Sequence, residues 1–263
     1  LCDRLLDVKR TFPMALDLGC HTGQLARVLC AGDRPGGPGG PDGIETLIQC
    51  DLSPAMAQRA GPPALAADEE ALPFAGETFD LIISNLSLHW VNDLPGALAQ
   101  IRRALKPDGL FLASMLGGET LRELRQALAE AEIAEEDGLS PRISPMAEVR
   151  DLGGLLLRAG LALPVADTDT LTVVYEEPMK LMADLHAMGE ANAAAESRKG
   201  FTRRSTLMAA AARYRELVAD DGGRVPSSFQ IITLTGWAPD PSQQQPLKPG
   251  SAEARPAAAL ETV

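Results

Sequence analysis

Short apolar runs alternate along this chain with stretches of helical periodicity. Met14-Ala15-Leu16-Asp17-Leu18 is an apolar run that breaks at Gly19-Cys20-His21-Thr22-Gly23. Helical spacing resumes at Gln24-Leu25-Ala26-Arg27-Val28-Leu29, so the pattern predicts a strand, a small-residue turn and a helix over Thr22–Cys30. Ahead of it, Leu1–Arg10 reads as the last turns of a helix that Phe12-Pro13 ends. Thr46–Asp51 is a second buried strand, after which Ser53 is a natural N-cap and Pro54 suits the first helical position. Leu65–Asp68 and Thr78–Asn85 are the third and fourth strands. Leu94, Ala97, Leu98, Ile101 and Leu105 share one helical face, Lys106-Pro107-Asp108-Gly109 is a tight turn, and Leu110–Met115 is the fifth strand. Strands alternating with helices at this rhythm imply an α/β fold, a mostly parallel sheet covered by helices on both faces.

After Gly118 the pattern changes. Glu119–Glu135 is a polar-faced helix, Ser140–Pro145 a loop, and Ser144 the expected cap of a helix ending near Arg158. Ala166–Tyr175 alternates as a strand does, and Pro178–Met188 and Arg203–Val218 are helical. Phe229–Trp237 is the last strand, expected to pair with Ala166–Tyr175 at the sheet edge. The pattern therefore divides into a ligand-binding core (1–118), an elaboration carrying lid helices and the last strands (119–238), and a disordered tail (239–263). The Pro/Gly run Ala31–Gly43 reads as a surface loop.

Composition narrows the function. Hydrophobic residues make up 45% of 263 and charged residues 23%, ordinary for a globular protein. The formal charge of -12 argues against nucleic-acid binding, which needs clustered cations; Arg203-Arg204 is one small candidate patch, more simply read as a solvated turn. No apolar run approaches the roughly 20 residues of a membrane span. Cys2, Cys20, Cys30 and Cys50 form no C-x-x-C pair, so no zinc site is expected and the pattern suits a reducing compartment. The chain starts at Leu1 inside a helical pattern, as after a truncated N-terminus, and its Ala, Gly, Pro and Arg usage suggests a GC-rich bacterial source.

In a doubly wound sheet, ligands bind beyond the carboxyl ends of the strands at the switch point. There the sequence places Gly19 and Gly23, then Asp51 and Leu52, then Asp68 and Glu69, then Asn85. An acid after the second strand can accept from ribose hydroxyls, and one after the third from an adenine amino group. There is no Walker lysine and no G-x-G-x-x-G, so an adenosine without phosphates fits better than ATP or NAD. Each acid alone would be read as an ordinary helix cap; together, at successive strand ends, they favour a ligand.

Asp17-Leu18-Gly19-Cys20-His21-Thr22-Gly23, Asp51, Asp68, Thr78-Phe79-Asp80 and Leu105–Gly109 resemble the successive motifs of class I S-adenosylmethionine-dependent methyltransferases, with their Rossmann-like seven-stranded fold. The resemblance implies S-adenosylmethionine as cofactor. It implies that Asp17, Gly19, Cys20, His21 and Gly23 shape the methionine end, that Asp51 with Leu52 holds the ribose, that Asp68 and Glu69 frame the adenine, and that Asn85 borders the site. The family pattern has glycine where His21 stands; a side chain there crowds the methionine end or shifts the loop. Ser84–Pro95, Gly117–Leu121, Ser140–Pro145, Met188–Asn192 and Val225-Pro226 resemble one subfamily, the mitochondrial assembly factors of respiratory complex I and their bacterial relatives. The biotin-pathway malonyl-carrier-protein O-methyltransferases are a more distant likeness. The subfamily implies a protein substrate, a complex I subunit, modified by methylation or arginine hydroxylation. It also implies a location in bacterial cytoplasm or, in a eukaryote, the mitochondrial matrix.

The sulfonium of the cofactor is already reactive, so positioning and exclusion of water do most of the work of methyl transfer. His89, just beyond the fourth strand, is placed to act as a base; equally, His89 and Trp90 cap the pocket and pack the next helix. Trp90, Glu119 and Glu190 are candidates to meet a cationic substrate, and Arg142 an anionic carrier or carboxylate, though all three charged residues also read as solvated surface. An iron oxygenase would need two histidines and a carboxylate; His21, His89 and His186 form no H-x-D or H-x-E spacing, so no metal site is expected. Cys20 reads as a small buried turn residue rather than a nucleophile. A non-catalytic assembly chaperone that keeps the fold and binds a subunit stands as the alternative, favoured by His21.

Overall fold

Strict alternation in the central strands decides how the layers assemble. In a computed structural model, which describes residues 1–30, 43–195, 197, 198 and 200–244, β1 (Phe12–Leu18), β2 (Ile44–Asp51), β3 (Ala64–Ala66), β4 (Phe79–Asn85) and β5 (Leu105–Leu116) run parallel. Leu81, Ile83, Leu110 and Leu112 point to one face and pack with Leu5 of α1 (Cys2–Leu6) and Leu25 and Leu29 of α2 (Gln24–Cys30). Their neighbours Ile82, Phe111 and Ala113 point to the other. There they meet Leu98 and Ile101 of α4 (Leu94–Ala104) and Leu152 and Leu156 of α6 (Val149–Arg158). The short α3 (Pro54–Ala60) follows β2, with Ser53 and Pro54 at its start.

The sheet order is β3-β2-β1-β4-β5-β7-β6. The last strand, β7 (Val225–Trp237), inserts antiparallel between β5 and β6 (Ala162–Tyr175), so the expected pairing of the last two strands is present and β6 is the edge. This is the Rossmann-like class I methyltransferase fold. Three further helices, α5 (Arg122–Glu136), α7 (Pro178–Met188) and α8 (Arg204–Val218), bury Leu124, Leu128, Leu181, Leu185, Ala210 and Tyr214 in a separate apolar cluster with Val225 of β7. Among the described residues no helix is long and apolar enough to cross a membrane.

Several boundaries differ from the sequence pattern. Phe12-Pro13 opens β1 instead of merely ending a helix. The Lys106–Gly109 turn is absorbed as an irregularity inside β5: Phe79 pairs with Leu105 but Leu81 with Leu110, and Asp108 takes up the extra length at φ +58°. Ser144 caps no helix. Its hydroxyl donates to Asn192 Oδ1, and α6 begins five residues later. The expected surface loop at 31–42 lies outside the described residues, as does the tail from 245. The part of that tail next to β7 is anchored, since Gln243 Nε2 donates to Asp108 Oδ1 and Ala238 O at 2.8 Å each.

Candidate functional site

The turn after β1 is drawn against the end of β2 by backbone hydrogen bonds. Gly19 and Cys20 donate to Cys50 O at 2.8 and 2.9 Å, and His21 donates to Asp51 Oδ2 at 2.8 Å. Asp51 Oδ1 accepts from Ser53 N at 2.8 Å, so this carboxylate ties the turn to the helix start while facing the cavity. Gly19 sits at φ +76°, and a Cβ on it would lie 2.1 Å from Ser87 Oγ. Only glycine both adopts that backbone and lets the next loop close in. Gly23, at φ +79°, packs against Gln49 and Ala60 outside the cavity. His21 also has positive φ, +49°, which explains why the resembling family uses glycine there. Its Nδ1 lies 3.0 Å from Gln24 Nε2.

Beyond these strand ends lies a cavity of about 740 Å³. Asp17, Gly19, Cys20, His21, Asp51 and Asn85 line it, all from the turn and strand ends. Asp17 is 1% exposed and neither carboxylate oxygen has a hydrogen-bond partner among the described residues. Burial, and secondarily the Asp51 charge, push its pKa up to about 7. The same burial and the neighbouring acids push the Cys20 thiol up to about 12, which keeps it protonated and unreactive. Asn85 Oδ1 accepts from Ser114 Oγ at 2.9 Å.

Four residues expected around the cofactor do not line this cavity. Besides Gly23, Leu52 is 62% exposed, and neither Asp68 nor Glu69 lines the cavity. Asp68 is turned onto the backbone of Glu70 (2.8 Å), the local capping that a strand-end acid readily adopts. Glu69 is buried with Ser87 Oγ 3.3 Å away, and burial raises its pKa. Sequence inspection missed the opposite wall, made by Leu171, Val173 and Tyr175 of β6, Phe229 and Ile231 of β7, and Met188 at the end of α7. Their every-second-residue spacing was visible in the strands; which cavity they face was not.

A second cavity of about 460 Å³ lies under α5 and α7, and Trp90, Leu116 and Glu190 line both. Its walls are mostly apolar, with Leu121, Leu124, Leu128 and Leu185 buried. Arg142 reaches it but is already engaged: its guanidinium bonds Glu132 at 2.7 Å and Thr202 at 2.7 Å, and lies 3.7 Å from Glu136. Glu119 lines neither cavity and meets Arg122 at the surface. His89 also lines neither. It is buried behind Glu190, with Nε2 3.2 and 3.4 Å from the two carboxylate oxygens. The structure thus sets His89, expected as a base, against Glu190, whose carboxylate is the one that lines both cavities.

Residues 16–113 match the family model for a methyltransferase domain. Over 257 residues the chain is 45% identical to arginine-hydroxylase NDUFAF5, mitochondrial, of Danio rerio, covering 96% of this chain and 77% of that protein. It is 33% identical to malonyl-[acyl-carrier protein] O-methyltransferase of Methylovorus sp. (strain MP688), covering 98% and 86%. Among solved structures it resembles YcgJ protein from Bacillus subtilis (TM-score 0.60, 14% identity, 91% and 98% coverage). It also resembles Haemonchus contortus phosphoethanolamine N-methyltransferase 2 in complex with S-adenosyl-L-methionine (TM-score 0.53, 16% identity, 91% and 51% coverage). At these identities the structural likeness establishes the fold.

Proposed function

The chain belongs to the NDUFAF5 family, and from that premise we propose that it binds S-adenosylmethionine and modifies a cationic side chain of a protein. The carrying observation is the charge of the lining. Asp17, Asp51 and Glu190 face the larger cavity, and no lysine or arginine lines it among the described residues. That argues against a polyphosphate and favours a ligand bearing positive charge. S-adenosylmethionine carries an ammonium and a sulfonium, and the two unpartnered oxygens of buried Asp17 match such a group. Asp51, exposed to the same cavity with lone pairs to spare, would take ribose hydroxyls. When bound, the cofactor supplies an electrophilic methyl group.

The rest is done by the chain. Trp90, Leu116 and Glu190 line both cavities and so stand at the neck where these meet. The leucine-lined part of the second cavity suits the aliphatic stem of a long side chain, and Glu190, steadied by His89, would pair with its cationic head. The printed name of the NDUFAF5 relatives makes arginine the first candidate. The complex I assembly factors that the sequence resembles make a complex I subunit the first candidate partner. Methylation and hydroxylation are both kept, because the methyltransferase domain supports one and the relatives' name the other. The bacterial cytoplasm or the mitochondrial matrix is the compartment this reading implies.

A malonyl-carrier substrate is the second reading, favoured by the 33% identical relatives and by Arg142 in the acceptor cavity. It ranks lower because Glu132 and Glu136 already neutralise Arg142 and the neck carries a carboxylate. Calorimetric titration with S-adenosylmethionine and S-adenosylhomocysteine tests the cofactor, with Asp51→Ala as control. Binding at micromolar ligand, lost in the control, is the expected result. Absence of binding by the unaltered chain would instead support the assembly-chaperone reading. Mass spectrometry of arginine-containing and malonyl-carrier acceptors after incubation separates the two substrate readings.

A further inference from the structure

β6 ends the sheet, and among the described residues its free side is open over an unusual length. Arg4 closes one end through two hydrogen bonds to Asp167, at 2.7 and 2.6 Å. From Thr168 to Val174 every residue is exposed, on both faces of the strand; Leu171, Val173 and Val174 are 52%, 40% and 49% exposed. Proteins ordinarily blunt such an edge with charge, proline or a covering element, because its unpaired backbone groups recruit another strand. Here the segment carries one charge, Asp169, and no proline.

The open stretch adjoins the site. Leu171, Val173 and Tyr175 line the larger cavity together with Phe229 and Ile231, and Leu171 pairs with Phe229 across the ladder. These residues share one face of the sheet. A strand added outside β6 would lie about 4.8 Å away, and every second side chain would project over the same cavity. We infer that the free edge of β6 between Thr168 and Val174 receives an extended, basic segment of the protein substrate, which joins the sheet as a further strand. This rests on the reading that the acceptor is a cationic protein side chain.

Charge selects the occupant. Glu176 and Glu177 at the end of β6 are balanced by Lys180 and Arg215, which leaves Asp169 on the edge and Glu190 in the cavity to attract a partner once Asp17 and Asp51 hold the cofactor. A second copy of this chain, itself at formal charge -12, is repelled by the same field. A basic segment gains backbone hydrogen bonds from the edge and places a cationic side chain beside the cavity.

Hydrogen exchange on the full chain, saturated with S-adenosylhomocysteine, tests this with a defined probe: a peptide of roughly twelve residues alternating valine with lysine around one central arginine. The expected result is exchange slowed by about tenfold or more in residues 168–174, and no slowing with the glutamate-for-lysine counterpart. Asp169→Arg and Thr172→Pro should each weaken the basic peptide by about tenfold while S-adenosylhomocysteine affinity is retained. Asp169→Arg leaves the ladder intact and decides the matter if the proline variant misfolds. A basic peptide that fails to bind, that binds without protecting 168–174, or that is matched by the acidic one would overturn the proposal. Protection that instead grows with protein concentration, with a dimer in sedimentation, would assign the edge to a second copy. Loss of S-adenosylhomocysteine binding by the unaltered chain would count against the cofactor reading alone, since the exchange comparison can be made without that ligand.

Discussion

His89 Nε2 lies 3.2 Å from Glu190 Oε1 although 101 residues separate them in the chain. The pair joins the turn after β4 to the loop after α7 and leaves the carboxylate facing both cavities. His89→Ala should therefore act through Glu190. It removes a buried partner from a carboxylate whose side chain is 16% exposed, and should cost about 1–3 kcal/mol in urea denaturation. S-adenosylhomocysteine affinity should hardly change. A His89→Ala chain as stable as its parent would show that the contact contributes nothing.

Asp17 makes cofactor binding pH-dependent. Its folded pKa, about 7, stands above the ordinary value of 3.8, so the native state holds the extra proton between those values. Stability without ligand should accordingly fall as pH rises from about 4 to 7, the unfolded chain binding fewer protons in that window. A cationic ligand beside Asp17 favours the ionised form. S-adenosylmethionine should then bind more tightly as pH approaches 7 to 8, with proton release visible by calorimetry in buffers of different ionisation enthalpy. Asp17→Asn should abolish the proton release and weaken binding by about tenfold or more.

Gly19→Ala combines two penalties, a left-handed backbone at φ +76° and a Cβ 2.1 Å from Ser87 Oγ. It should lower stability by more than about 2 kcal/mol and abolish cofactor binding. Adding Ser87→Gly relieves the clash but not the backbone strain, so thermal melting should recover only in part.

His21→Gly is the opposite case. Glycine accepts φ +49° without strain, while the gain in unfolded-chain entropy offsets part of the benefit, so melting should move little. Titration with S-adenosylmethionine decides whether the imidazole obstructs the methionine end. Equal affinity in both chains would remove the main ground for a non-catalytic chaperone, whereas binding only by the glycine variant would strengthen it.

Arg142→Ala should be the most destabilising of these changes, by about 3–5 kcal/mol near neutral pH, because it leaves Glu132 buried without its cation, whereas Glu136 keeps its pair with Arg198. Glu132 is held below its ordinary pKa, with Arg142 and Ser140 outweighing the cost of its burial. Without Arg142 it would take up a proton more readily, so the loss should shrink at pH 5. Denaturation at the two pH values checks this.

What the sequence determined by itself is local. The strand, turn and helix around Gly19, the acids at the strand ends and the alternating pattern of the last two strands are all encoded within a few residues, because dihedral preference and apolar period act over that range. Boundaries slipped where tertiary contacts overrode local signals: the turn at Asp108 became an irregularity within β5, and Ser144 was drawn to Asn192 instead of capping α6. Tertiary structure alone decided what faces the ligand. Asp68 satisfied its own backbone and left the lining, Arg142 was neutralised by two glutamates, and His89 was placed behind Glu190. The wall formed by Leu171, Val173 and Tyr175 exists because β7 continues the sheet from β5 and pairs with β6 along its length, which sets Leu171 beside Phe229 on one face. Alternation sends these side chains to a common face, but only the register of the assembled sheet sets that face against the cavity beside the glycine turn.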